Sequence, residues 1–154
     1  MTDIETIFNQ AGYPIKRFRK GSWQLKIETG VLQIFLDIYV QSDLIWVCTS
    51  GYLHIPQLAR CEDWIVAFLS RTCAGLARFN PVSDQDGDLL AMEVSVCLPH
   101  RELSVYQVEL SMLELIKASV RYAPELQAAA YGLSPPPQWP NGEDLSVGLR
   151  WSGN

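Results

Sequence analysis

A chain of 154 residues and 17.3 kDa has the length of one ordinary domain and buries enough surface to fold without disulfides or a metal. Hydrophobic residues are 48% and charged residues 19%, which excludes wholesale disorder. The net charge of −5, from 12 basic and 17 acidic residues, argues against global attraction to nucleic acid or an anionic membrane.

The first predicted element is a helix. Thr2-Asp3-Ile4-Glu5 fits a capping box, with Thr2 as N-cap and Glu5 at the third helical position. Ile4, Ile7, Phe8 and Ala11 make one apolar stripe, Gly12 stops the helix and Pro14 prevents its resumption. Three strands follow. Trp23, Leu25 and Ile27 alternate with Gln24, Lys26 and Glu28, and Thr29-Gly30 turns the chain. Val31 to Val40 is a long strand with Leu32, Ile34, Leu36, Ile38 and Val40 on one face and Val31, Gln33, Phe35, Asp37 and Tyr39 on the other. Gln41-Ser42-Asp43 leads into a third strand, Leu44 to Thr49, and such short connections require an antiparallel meander.

Tyr52 to Arg60 reads as a connection. A second helix starts at Cys61-Glu62-Asp63 and closes near Gly75, its buried side marked by Trp64, Ile65, Phe68, Leu69, Thr72 and Leu76. Leu76 to Val82 is a strand that Pro81 consigns to an edge, the Asp84–Asp88 run is a turn, and Leu89 to Leu98 is the returning strand. The last helix opens on a second capping box, Ser104 to Gln107, with Leu103 stapled onto Val108. Val105, Val108, Met112, Leu115, Ile116 and Val120 form its inner stripe. Ala123-Pro124 should bend or restart it, and Gly132 closes it. The order α-β-β-β-α-β-β-α predicts an α+β fold, a five-stranded antiparallel sheet with helices mainly on one face. Residues 1–132 form the domain, and 133–154, with Ser134-Pro135-Pro136-Pro137-Gln138-Trp139-Pro140, a Pro-rich extended tail.

No apolar run reaches the roughly 18 residues of a membrane-spanning helix. The acidic start lacks the basic and apolar regions of a secretory signal, which predicts a cytoplasmic chain. Cys48, Cys61, Cys73 and Cys97 form no CxxC pair and read as reduced, buried thiols.

Candidate chemistry is sparse. Asp84, Asp86 and Asp88 imitate a calcium loop, but the Gly stands at the fourth position and the twelfth is Ser95, so a hairpin turn is the better reading. His54 and His100 have no partner at metal-ligand spacing, so no metal or cofactor is expected. A Cys–His pair or another site assembled from distant residues would make the chain a small enzyme; no motif calls for one. Lys16, Arg17, Arg19 and Lys20 form the one basic cluster. With Phe18 and Trp23 it could grip single-stranded nucleic acid, pair with an acidic segment of a protein, or stand as a solvated edge with both aromatics tucked into the core. Phe35 and Tyr39, flanked by Gln33 and Asp37, face away from the aliphatic side of their strand and suit a partner or dimer surface. Trp139 and Trp151 either fold back on the domain or anchor on a partner.

The strand with Arg78-Phe79-Asn80, its Asp84–Asp88 turn, the apolar strand after it and the Leu103-Ser104 helix start resemble runs in YbjN-like domains. With the element order, the resemblance covers about residues 2 to 131. It implies the fold of type III secretion chaperones and a bacterial homodimer that binds extended protein segments, while the lack of catalytic motifs makes a non-catalytic chain the expectation. It implies no catalytic residue and says nothing of the tail.

Overall fold

The computed structural model describes residues 3–54, 69, 74–87 and 89–130. Helix α1 spans Ile4–Gln10 and is followed by β1 (Lys16–Arg19), β2 (Ser22–Glu28), β3 (Gln33–Gln41), β4 (Leu44–Ser50) and β5 (Leu53–His54). Then come β6 (Arg78–Ser83), β7 (Leu89–Pro99) and the long helix α2 (Val105–Ala130). Most of the helix expected over Cys61–Gly75 lies outside the described residues. Leu69 and Leu76, expected on its buried side, are both exposed. Leu76 sits in the turn after Gly75, whose φ of +63° reverses the chain into β6, so it belongs to neither element's buried face.

Helix α1 starts one residue later than expected. Asp3 is the N-cap: its carbonyl accepts from Ile7 N, and its carboxylate accepts from Thr6 Oγ1 at 3.0 Å. Glu5 does not turn back to cap the helix, because its carboxylate is engaged by Trp23 and Arg17. At the other end Tyr13 N donates to Phe8 O and Gly12 N to Asn9 O, with Gly12 at φ +91°. This is the Schellman closure that the glycine predicts.

All strand pairs are antiparallel. The sheet has seven strand segments in six positions, not five, in the order β1-β2-β3-β4-β7-β6, with β5 continuing the β4 position along the same edge of β7. The two additions are pairings that backbone alone specifies. All four residues of β1 are exposed, so no apolar alternation marks it. β5 is a two-residue bridge after the bend at Gly51, whose φ is +66°. As expected, β6 with Pro81 lies at an edge, pairing only with β7 among the described residues.

The core lies between the sheet and the two helices. Ile34, Leu36 and Ile38 of β3, Ile45 and Val47 of β4, and Met92, Val94 and Val96 of β7 are buried against Ile7 and Phe8 of α1 and Val108, Met112 and Leu115 of α2. Each such side chain contributes roughly 1.5–3 kcal/mol on burial. The capping box of α2 forms as read: Ser104 N donates to Gln107 Oε1 at 3.0 Å, and Gln107 N to Ser104 Oγ at 3.1 Å. Leu103 and Val108 are both buried, as a staple requires. Pro124 does not end α2, which continues to Ala130. Among the described residues no helix is long and apolar enough to cross a membrane.

Candidate functional site: the uncovered face of the sheet

The strand registers sort side chains onto two faces. Trp23, Ile38 and Val47 are cross-strand neighbours on the helix side. The alternate positions form the face that neither described helix covers. One row across it is Ser22, Tyr39, Trp46 and Cys97. The next is Lys16, Gln24, Asp37, Cys48, Ser95 and Arg78. A third is Lys26, Phe35 and Ser50.

Gln33, Phe35, Asp37 and Tyr39 therefore share this face, as predicted. Phe35 is 49% exposed, and the Lys26 ammonium sits 5.8 Å above its ring. Lys26 also pairs with Glu28 at 3.2 Å, and Gln33 donates to the same carboxylate. Gln24 donates to Asp37 at 3.3 Å, and Asn80 donates to Ser95 at 2.7 Å. A groove of about 640 Å³ runs along β1 to β3, lined by Pro14, Lys16, Lys26, Phe35, Asp37 and Ser50 among others.

The electrostatics suit contact rather than proton transfer. Burial pushes the Cys48 thiol up to about 11, so it is a poor nucleophile at neutral pH. Tyr39 OH stands 3.9 Å from Cys48 Sγ. Burial first, and then this thiol, push Tyr39 up to about 12. Burial also raises Glu93, and the nearby Asp37 charge raises it further.

The basic cluster does not form one surface. Lys16 stands opposite Gln24 on the uncovered face, whereas Arg17 stands opposite Trp23 on the helix side. Arg17 is held there by Glu5 at 3.1 Å and lies 5.8 Å over the Trp23 ring. Trp23 is buried, but Phe18, expected in the core, is 62% exposed with the Arg19 guanidinium 5.8 Å over its ring. A basic, aromatic strip continuous enough to track a phosphate backbone is absent from β1, because strand alternation splits it.

The Asp84 segment is a turn: Asp86 N donates to Asp84 Oδ1 at 2.9 Å and Gly87, at φ +84°, donates to Asp84 O. Among the described residues no group of three or more His, Cys, Asp and Glu is placed to hold a metal. His100 lies between β7 and α2, its amide bound to Asp43 O; the His54 side chain, Cys61, Cys73, Trp139 and Trp151 lie outside the described residues.

Sequence reasoning missed Trp46, Cys48 and Glu93. The alternation of Leu44, Trp46 and Cys48 against Ile45, Val47 and Thr49 would have placed the first two. It also missed Tyr106, Leu110 and Leu113, an exposed apolar stripe at i, i+4, i+7 along the outer side of α2.

No family model and no curated protein matches the chain. Solved structures do. A chain of the HopA1–SchA chaperone–effector complex aligns with a TM-score of 0.51 and 14% identity, covering 75% of this chain and 86% of that one. A chain of the ExsC–ExsE complex aligns with a TM-score of 0.53 and 8% identity, covering 82% and 92%. Identities this low speak for the fold alone: an α+β architecture with an antiparallel sheet and the described helices on one side of it.

Proposed function

We propose that this protein is a non-catalytic, chaperone-like protein-binding module that works as a homodimer in the bacterial cytoplasm. The carrying observation is the sheet face that neither described helix covers, where Phe35, Tyr39 and Trp46 lie among Lys26, Asp37 and Glu93. Aromatics within a polar surround suit a reversible protein contact, with charges setting orientation. The likeness to chains of chaperone–effector complexes supports the same reading. The exposed stripe of Tyr106, Leu110 and Leu113 supports a twofold helix contact that leaves the sheet face free. Membership in the YbjN-like family, a domain over 1–132 and a separate tail over 133–154 belong to the same proposal.

The test combines sedimentation at micromolar protein with affinity capture by the full chain. Phe35→Asp with Tyr39→Asp should keep the fold and lose the captured partners. A monomeric wild type, together with a folded double variant that captures the same proteins, overturns the proposal.

A further inference from the structure

Helix α2 packs its inner stripe against the sheet, and its outer side carries charge as well as apolar surface. Tyr106, Leu110 and Leu113 are exposed, and Lys117, half-buried, continues their line. At about 100° per residue these four positions fall within an arc of about 60°, and from first to last they span about 17 Å. Their spacing is symmetric. Tyr106 and Lys117 stand equally far from the midpoint between Ser111 and Met112, and so do Leu110 and Leu113.

Glu109 and Glu114 flank this line on opposite sides, each about 70° from its centre. Glu109 borders Tyr13, whose phenol is raised by burial and then by that charge. Glu114 lies over the turn at Gly75, where an added Cβ would meet its carboxylate. Among the described residues neither carboxylate, nor Lys117, makes an ion pair or a side-chain hydrogen bond. Arg121, one turn beyond Lys117, is drawn inward: its guanidinium lies 5.1 Å from the Tyr122 ring centroid, and its Nη2 is buried. Lys117 is therefore the cation that the line presents, and it stands at one end with Tyr106 at the other.

We propose that two copies of this chain pair through α2 in antiparallel register about the Ser111–Met112 midpoint, with Leu110 against Leu113 of the second copy and Tyr106 and Glu109 against Lys117 of the second copy. In this register the four leucines close over the twofold axis. Each Lys117 comes level with a Tyr106 across the interface and within a turn of the Glu109 beside it, so the ammonium gains a ring face and a carboxylate. The two Glu109 carboxylates lie about 8 Å apart along the axis on one flank, each nearer to a lysine. The two Glu114 carboxylates lie on the other flank, each one turn from Lys117 of its own helix. A parallel pair would instead set Lys117 against Lys117 and Glu109 against Glu109, which like charges oppose. The inference rests on the dimer proposed above and fixes its geometry. Because α2 stands between the axis and the sheet, the two uncovered sheet faces point outward in opposite directions, and one dimer offers two docking faces.

Exchange of charge in trans tests the register, because two variants can rescue each other only across the interface. In sedimentation equilibrium Glu109→Lys alone and Lys117→Glu alone should each dimerise about tenfold more weakly than the wild type, the scale of two ion pairs turned into like-charge contacts. In an equimolar mixture of the two variants every such contact again joins one lysine to one glutamate, and affinity should return to within about twofold of the wild type. Single variants that dimerise as tightly as the wild type, or a mixture no tighter than its components, overturn the register while leaving the dimer in place. A monomeric wild type overturns the register and the dimer together. Neither result touches the docking face, which the Phe35 and Tyr39 variants score by capture.

Discussion

The indole Nε1 of Trp23 donates to the Glu5 carboxylate at 2.8 Å, joining β2 to α1 across 18 residues of sequence. The same carboxylate oxygen accepts from Arg17 Nε at 3.1 Å, so helix α1 is tied to two strands through one side chain. Trp23 is only 5% exposed, so its N–H loses its partner if Glu5 is removed. Glu5→Ala should therefore cost about 1–3 kcal/mol, the penalty of a stranded buried donor. Arg17→Ala, at a mostly exposed site, should cost less than about 1 kcal/mol. Urea unfolding of the two variants checks the order, and equal losses would contradict it.

Helix α2 supplies the second prediction. Ser104→Ala removes the acceptor for Gln107 N and should cost about 1 kcal/mol. Gln107→Glu keeps the reciprocal acceptor for Ser104 N and places a negative charge near the positive end of the helix. It should be neutral or slightly stabilising. Chemical denaturation followed by circular dichroism distinguishes the two.

Much of this fold is legible in the sequence because periodicity reports burial. The alternation over β2, β3, β4 and β7, and the stripe on α2, each appear where the core forms. What fails to show is structure that burial does not pattern. β1 is held by backbone pairing, with all its side chains exposed, and β5 is only two residues long. The Thr2 cap fails because a carboxylate at Glu5 has a better use, the Trp23 N–H, which lies distant in sequence. Phe35 and Tyr39 could be read as an open face from their own strand. Glu93 could not, because its meaning depends on Asp37, which lies two strands away.

That carboxylate pair yields a third prediction. The folded protein holds Glu93 protonated at a higher pH than the unfolded chain does, through burial and then the Asp37 charge. Its contribution is fully present below the unfolded carboxylate range and is lost as pH rises through the folded value. At neutral pH the charge is thus a cost. Glu93→Gln should stabilise the protein at pH 7, by less than about 1 kcal/mol because the group is partly solvated. It should also flatten the stability profile just above the normal glutamate range. Unfolding midpoints from pH 4 to 7 measure both, and a destabilised Glu93→Gln at pH 7 contradicts the assignment.

Alkaline pH should act in the same direction. Cys48 and Tyr39 are raised from 9.0 and 10.0 to about 11 and about 12, and burial raises Tyr52 as well. The unfolded chain releases these protons first, so stability is intact below pH 9 and falls as pH climbs toward 11 and 12. Cys48→Ala should make that decline shallower. Alkylation gives an independent readout: the Cys48 rate in the folded protein should rise about tenfold per pH unit through pH 9 to 10.

The last prediction separates the two exposed apolar surfaces. Tyr106 is 70% exposed on the outer side of α2, with Leu110 and Leu113 one and two turns along the same line. Two copies of such a stripe can meet about a twofold axis, each burying the other's leucines. Leu110→Glu would put a charge into that contact, where Glu114 rather than a cation stands one turn along the helix. A buried, unpaired charge costs about 2 kcal/mol or more, which weakens association roughly thirtyfold. Phe35→Asp with Tyr39→Asp lies on the opposite side of the sheet and should leave association unchanged while abolishing partner capture. Sedimentation equilibrium of wild type and both variants at micromolar concentration gives the answer. Loss of the dimer in the Phe35 and Tyr39 variant, with Leu110→Glu still dimeric, would move the dimer contact onto the sheet and leave α2 without a role in it.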